Sequence, residues 1–177
     1  MLLTLADRPQ VILWLKRSYR FMPLIEKELA ANGLPDDLKY VAIAESALRP
    51  HAGSTAGAIG FWQFMQTTGR KYGLSVNSAI DERRSIYKST RAAIAYFKFL
   101  YEEFQSWTLA AAAYNMGEEG LKSEMLLQEV NDYYRLYLPL ETQRYIPRII
   151  SAKLILLDPE KYGFKLIEDD YYPPYEF

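Results

Sequence analysis

The chain has 177 residues, half of them apolar, with 21 basic and 22 acidic residues, one histidine and no cysteine. That length is close to a single domain of about 150 residues, and the apolar share is enough for a sizeable core. The near-neutral balance offers no basic surface for nucleic acid, and the missing cysteines exclude disulfides, thiolate nucleophiles and Cys/His zinc sites.

A Ser-His-Asp triad would have to use His51, and nothing flanking it supports that. No metal and no cofactor is expected. No apolar run approaches the roughly 20 residues needed to span a bilayer, so no transmembrane segment is expected in this chain. The opening MLLTLADRPQ has too short an apolar core for a signal peptide, so an exported form would carry its signal outside this sequence.

In chain order the pattern is helical. RPQVILWLKRSYRFMPLIEKELAANG predicts one helix, or two joined at Pro23, stopping at Asn32-Gly33. LPDDLKYVAIAESAL predicts the next, with Pro35 at a first helical position and Asp36 and Asp37 at the positive helix end. RPHAGSTAGAIG reads as a loop. FWQFMQTTGRKYGL predicts a short helix closed by glycine. SIYKSTRAAIAYFKFLYEEF is the clearest helix, with Ile86, Thr90, Ala93, Phe97, Leu100 and Phe104 at three- and four-residue spacing. SWTLAAAAYNMG predicts a small-residue helix ending at Gly117, and LETQRYIPRIISAKLILL a long one with Pro147 as a possible kink. The tail DPEKYGFKLIEDDYYPPYEF reads as irregular or linker-like. The expected fold is mainly α, a single helical domain. Residues 1–33 would form an N-terminal helical segment packed on it, 34–157 a core, and 158–177 a tail or linker.

Glu45 is the residue that does not fit a buried helix. Leu38, Val41, Ala42 and Leu48 make an apolar stripe, and Glu45 falls on it, whereas Asp36, Lys39 and Ser46 fall on another side. A carboxyl facing an apolar interior is desolvated, keeps its proton toward neutral pH, and can then act as a general acid. On this helix alone a second reading stays open, in which Glu45 turns to solvent or pairs with Arg49.

Four motifs in order add to this. Glu45-Ser46 is followed by Gly57-Ala58-Ile59-Gly60, then Phe61-Trp62, Gln63 and Met65. Ala113-Tyr114-Asn115-Met116-Gly117 and Glu141-Thr142-Gln143-Arg144-Tyr145 come later. Each alone is weak. Together they resemble the four motifs of the family 1 lytic transglycosylases, whose catalytic domain is similar to goose-type lysozyme. The resemblance covers about Leu34 to Leu157, and Trp62 with the TTGRKYGL stretch looks most like the membrane-bound lytic transglycosylase D subgroup.

The resemblance implies a lysozyme-like helical fold and a peptidoglycan lytic transglycosylase. Such an enzyme cleaves the β-1,4 bond between N-acetylmuramic acid and N-acetylglucosamine without water, leaving 1,6-anhydromuramic ends. One carboxyl suffices, acting first as acid and then as base, and no second carboxylate occurs between 46 and 80. Asp81 and Glu82 read as part of an exposed charge cluster, DERR, and Glu141 is a distant acid that could come close in the fold.

Glu45 is therefore the expected catalytic residue. Ser46 would hydrogen-bond substrate or serve helix-end polarity. Gly57 and Gly60 would let backbone approach a sugar or simply turn the chain. Gln63 and Asn115 suit acetamido and hydroxyl groups, or cap helices. Tyr114 and Tyr145 offer a ring to a sugar face and a hydroxyl to Glu45 or substrate, among 15 tyrosines most of which should simply pack. Met65 and Met116 would line the cleft, Met116 departing from the alanine common there. Trp62 is assigned to the core and His51 to a loop. The implied partner is peptidoglycan glycan strands, with no nucleic acid, in a monomer of the bacterial periplasm or envelope. A hydrolytic muramidase and a non-catalytic peptidoglycan-binding module are the alternatives.

Overall fold

The computed structural model describes residues 7–175. The MLLTLA opening, on which the signal-peptide reading turned, and the last two residues of the tail lie outside the described residues.

Among the described residues seven α-helices run in order: α1 Arg8–Ala31, α2 Lys39–Ser46, α3 Gln66–Lys71, α4 Ile86–Phe104, α5 Trp107–Met116, α6 Glu118–Gln128 and α7 Leu140–Leu157. Among the described residues the only β pairing is three isolated bridges, Gly53 with Ile59, Ile59 with Phe64, and Val76 with Asp81. No described helix is long and apolar enough to cross a membrane.

α1 is one helix. Asp7 caps it by accepting from the Gln10 N–H, and Pro23 sits on its exposed face. The carbonyl that Pro23 leaves unbonded belongs to Tyr19, which is also exposed, so water can satisfy it. α7 handles Pro147 differently. The missing N–H would have reached the Gln143 carbonyl, and the Tyr133 hydroxyl is shared between that carbonyl (2.9 Å) and that of Thr142 (2.8 Å).

α2 packs between α1 and α7, and α5 packs against α4, α6 and α7. The alanine run Ala110–Ala113 lets α5 approach its neighbours closely, and all four are buried. The apolar stripe expected on α4 is buried throughout, from Ile86 to Phe104. One apolar cluster includes residues of α1, α2, α4, α5 and α7.

Four features differ from the sequence reading. α2 begins after a 3-10 turn, Asp36–Leu38, and stops at Ser46, because Ala47 (φ 54°) and Leu48 (φ 56°) turn left-handed. The segment from Phe61 to Met65 is turns and a bridge rather than helix, so α3 starts only at Gln66. α6 had no sequence signal, since Leu121 is its one buried residue and no apolar stripe exists to find. The tail is irregular but lies along α1. Arg8 donates to the Gly163 carbonyl (2.7 Å) and covers the Phe164 ring, Arg20 donates to the Pro173 carbonyl (3.0 Å), and Tyr19 packs on Tyr171.

Candidate active site

Glu45 is the penultimate residue of α2, and the four residues before it are buried. Its side chain is partly buried, and the Tyr145 hydroxyl of α7 donates to its Oε1. Burial pushes the Glu45 carboxyl up to about 7. The Tyr145 hydrogen bond and the positive charge of Arg148 pull it down, and the charge of Glu141 adds to the rise. The pairing with Arg49 does not form: the Arg49 Nε donates to the Ser46 carbonyl at 3.1 Å.

Tyr114, on α5, is a second tyrosine within reach of the charge of Glu45. Burial, then the charge of Glu45, raises its hydroxyl well above the usual tyrosine range. That hydroxyl donates to the Trp62 carbonyl (2.7 Å), and its ring stacks on Phe97 with centroids 4.7 Å apart. Tyr114 is therefore a wall of the site that also holds the motif loop. Trp62 is fully buried, its indole N–H bonded to the Thr90 hydroxyl (3.0 Å), and belongs to the core as expected.

The loop from Ala52 to Met65 is fastened at several points. The Ser46 hydroxyl, only 2% exposed, is shared between the carbonyls of Phe61 (2.8 Å) and Ala42 (3.0 Å). Ser46 is thus not on the polar side of α2; its hydroxyl ties that helix to the loop. Gln63 takes a left-handed backbone (φ 48°), unusual outside glycine. Its amide nitrogen bonds the carbonyls of Gly60 (2.9 Å) and Ala52 (3.3 Å), closing the turn.

Gly60 needs its missing side chain because a Cβ there would collide with the Arg83 carbonyl oxygen, and its φ is +85°. The close approach is to protein backbone. Gly57 (φ +92°) lies at the exposed loop tip with open space around it. Met65 is 42% exposed beside the loop, and Met116 packs against the core edge. Asn115 accepts from the Thr142 hydroxyl (2.9 Å), which joins the third motif to the fourth. His51 is an exposed turn residue beside Arg84.

The DERR stretch is not an exposed cluster. Arg83 is 5% exposed, paired with Asp81 (2.8 Å), and its Nη1 donates to the carbonyls of Gly57 (3.1 Å) and Phe64 (3.0 Å). A buried guanidinium needs that full set of partners, and beside Asp81 they are two carbonyls of the motif loop, one near its tip and one near its end. Arg83 and Arg148 are the residues that sequence reasoning missed. Arg148 had one available signal, its position three residues after Tyr145 on the same helix face.

The site thus gathers Glu45, Tyr145, Tyr114, Arg148 and Glu141, with Gln63 on the fastened loop. Among the described residues no cluster of His, Asp or Glu could hold a metal. A cavity of about 330 Å³ lined by Tyr133, Tyr134, Tyr137, Gln143 and Pro147 is separate. At about 100° per residue, Gln143 and Pro147 project from the other side of α7 than Tyr145.

The family model of the transglycosylase SLT domain matches residues 22–134. The membrane-bound lytic murein transglycosylase D of Escherichia coli K12 is 35% identical over 159 residues, covering 87% of this chain and 35% of that protein. The chain therefore spans about a third of the length of that relative. The E. coli soluble lytic transglycosylase SLT70 superposes with a TM-score of 0.63 at 17% identity, covering 86% of this chain and 26% of that one. An inactive mutant of lytic transglycosylase Slt from Pseudomonas aeruginosa superposes with a TM-score of 0.58 at 20% identity, covering 85% and 26%. These two likenesses concern the helical fold.

Proposed function

The chain belongs to the transglycosylase SLT domain family, and we propose that it is a peptidoglycan lytic transglycosylase. It cleaves the β-1,4 bond between N-acetylmuramic acid and N-acetylglucosamine and leaves 1,6-anhydromuramic ends. The observation that carries this is Glu45, a carboxyl raised to about 7 by burial and held by Tyr145. The name of the 35% identical relative, a lytic murein transglycosylase, agrees with it.

Glu45 starts protonated. It gives its proton to the glycosidic oxygen as the C1–O bond breaks, and the bond's electron pair leaves with that oxygen. The cationic sugar is stabilised by its own N-acetyl group. Glu45, now a carboxylate, takes the proton of the C6 hydroxyl as O6 closes on C1. One group serves both steps, and a value near neutrality suits a proton that must leave and return. The tethered O6 competes with water at a high effective concentration. Tyr145 fixes the carboxylate for the second step, and the rings of Tyr114 and Tyr145 bound the site. Gln63 offers its amide oxygen and Asn115 its amide nitrogen, their other amide atoms being bonded within the protein, and Ser46, Gly57, Gly60 and Met65 shape the surrounding wall. The partners are glycan strands of the bacterial envelope, and the chain acts as a periplasmic monomer.

One observation favours a second reading. Glu141 is close enough to Glu45 to act on it electrostatically, which offers a second carboxylate for a hydrolytic muramidase. Two-carboxylate glycosidases hold the pair about 5–5.5 Å or about 6.5–9.5 Å apart. Digestion of purified peptidoglycan and mass analysis of the fragments decides between the two. The anhydro product is lighter by one water and resists borohydride. Predominantly reducible muramic ends assign the chain to the muramidases, and binding without turnover assigns it to the non-catalytic modules.

A further inference from the structure

The last turn of α2 ends on carbonyls that the helix does not satisfy. The Ala47 N–H bonds Ile43 (2.8 Å) and the Leu48 N–H turns back to Ala42 (3.4 Å), so the Ala44 carbonyl lacks the partner that a continued helix would supply. Three guanidinium groups from three places cover this end. Arg17 of α1 donates to Ala47 (3.1 Å), Arg49 to Ser46 (3.1 Å), and Arg148 of α7 reaches Ala44 at 3.5 Å. None of the three forms an ion pair among the described residues. Cations here oppose the negative end of the helix, which would otherwise disfavour a carboxylate at Glu45.

Arg148 differs from the other two in facing the chemistry. It stands one turn beyond Tyr145 on α7, and its charge acts on both Tyr145 and Glu45. We propose that Arg148 is a positioning residue for the reaction: it holds the Ala44 carbonyl, and with it the backbone entering Glu45, and keeps a permanent positive charge beside the carboxylate left after proton donation. This rests on Glu45 being the acid–base group.

The groups acting on Glu45 are few. From α7 come Tyr145, Arg148 and Glu141, whereas Tyr114 of α5 feels the charge of Glu45. Tyr114 spends its proton on the Trp62 carbonyl, so it offers none to Glu45. Tyr145 supplies one hydrogen bond, and Glu141 opposes ionisation. Arg148 is then the charge that keeps burial from holding the proton on Glu45 too tightly. Without it the first proton transfer meets a higher cost, because the carboxylate it creates has lost its counter-charge.

The test is an NMR titration of Glu45 in the free protein, which needs no turnover. Arg148→Gln should raise its midpoint by about half a unit or more, Arg148→Lys should hold it near the wild-type value, and Glu141→Gln should lower it. On peptidoglycan, the high-pH limb of activity should shift in the same directions, and Arg148→Gln should turn over more slowly at its optimum than Arg148→Lys. Arg148→Met, which keeps part of the aliphatic stem, serves if the glutamine variant does not fold. A folded Arg148→Gln or Arg148→Met protein with an unmoved Glu45 midpoint overturns the proposal and leaves only a helix cap. Absence of cleavage by the wild-type chain would instead strike the functional reading, and the titration would still stand.

Discussion

A glutamic acid in water is ionised at neutral pH and has no proton to give; Glu45 keeps one because its carboxyl is desolvated between α2 and α7. Glu45→Gln retains the size but neither gives nor takes a proton, so turnover should fall by roughly 10²–10⁴-fold while glycan binding persists. The same change should alter stability with a definite pH dependence. Burial raises the folded carboxyl to about 7, well above the ordinary glutamate range, so folding favours its protonated form. The wild type bears no cost below about pH 4, an increasing cost as pH rises toward 7, and a constant cost above it. Thermal melts of the two proteins should therefore coincide in acid and separate in favour of glutamine at neutral pH and above. Activity itself should decline as pH rises through about 7, as the acid form is lost. Tyr145→Phe removes a hydrogen bond that favours the ionised form. The Glu45 midpoint should rise, the rate should fall, and the ratio of anhydro to reducible ends in the digest should not change.

At the scale of elements, the motif loop is a wrapped segment whose sequence advertises sugar contact but whose observed bonds are largely to itself. Ser46, Gln63, Gly60 and Arg83 all hold backbone in place. Gly60→Ala would add a methyl against the Arg83 carbonyl at a φ of +85°, so this variant should be poorly folded or strongly destabilised. Gly57→Ala meets open space and carries only the strain of its φ of +92°, at about 1–2 kcal/mol. Chemical denaturation of the pair checks this, and equal destabilisation would deny the close approach at Gly60. The two glycines look alike in the sequence. They differ because one faces solvent and the other faces a chain segment more than twenty residues away, which local pattern cannot encode.

Over the whole molecule, the tail adds a second set of contacts to α1, which already packs on α2 and α4. Phe164 is buried under Arg8, and the stretch from Tyr171 to Pro173 follows α1 toward Arg20. Ending the chain at Leu157 loses the burial of Phe164, about 1.5–3 kcal/mol, which corresponds to a melting point lower by roughly 5–10 °C. The truncated chain should still cleave peptidoglycan where it remains folded, since Glu45, Tyr114 and Tyr145 are all retained. A melt unchanged by truncation would mean that the docking contributes nothing.

The sequence by itself determined the long helices and singled out Glu45. α1, α4, α5 and α7 carry strong periodic or small-residue patterns bounded by caps and glycines, and such patterns are local. Glu45 stood out because a carboxyl on an apolar stripe is a local contradiction, and the four spaced motifs placed the chain in its family. Tertiary structure alone decided the rest. Arg83 reads as a surface charge until its carbonyl partners arrive from a distant loop. α6 lacks an apolar stripe, and the tail's aromatic rings have no partner until α1 is beside them. Arg148 is an ordinary helix arginine until α2 ends against it. In each case the deciding energy, whether the desolvation of a charge or the burial of a ring, exists only once segments far apart in the chain have met.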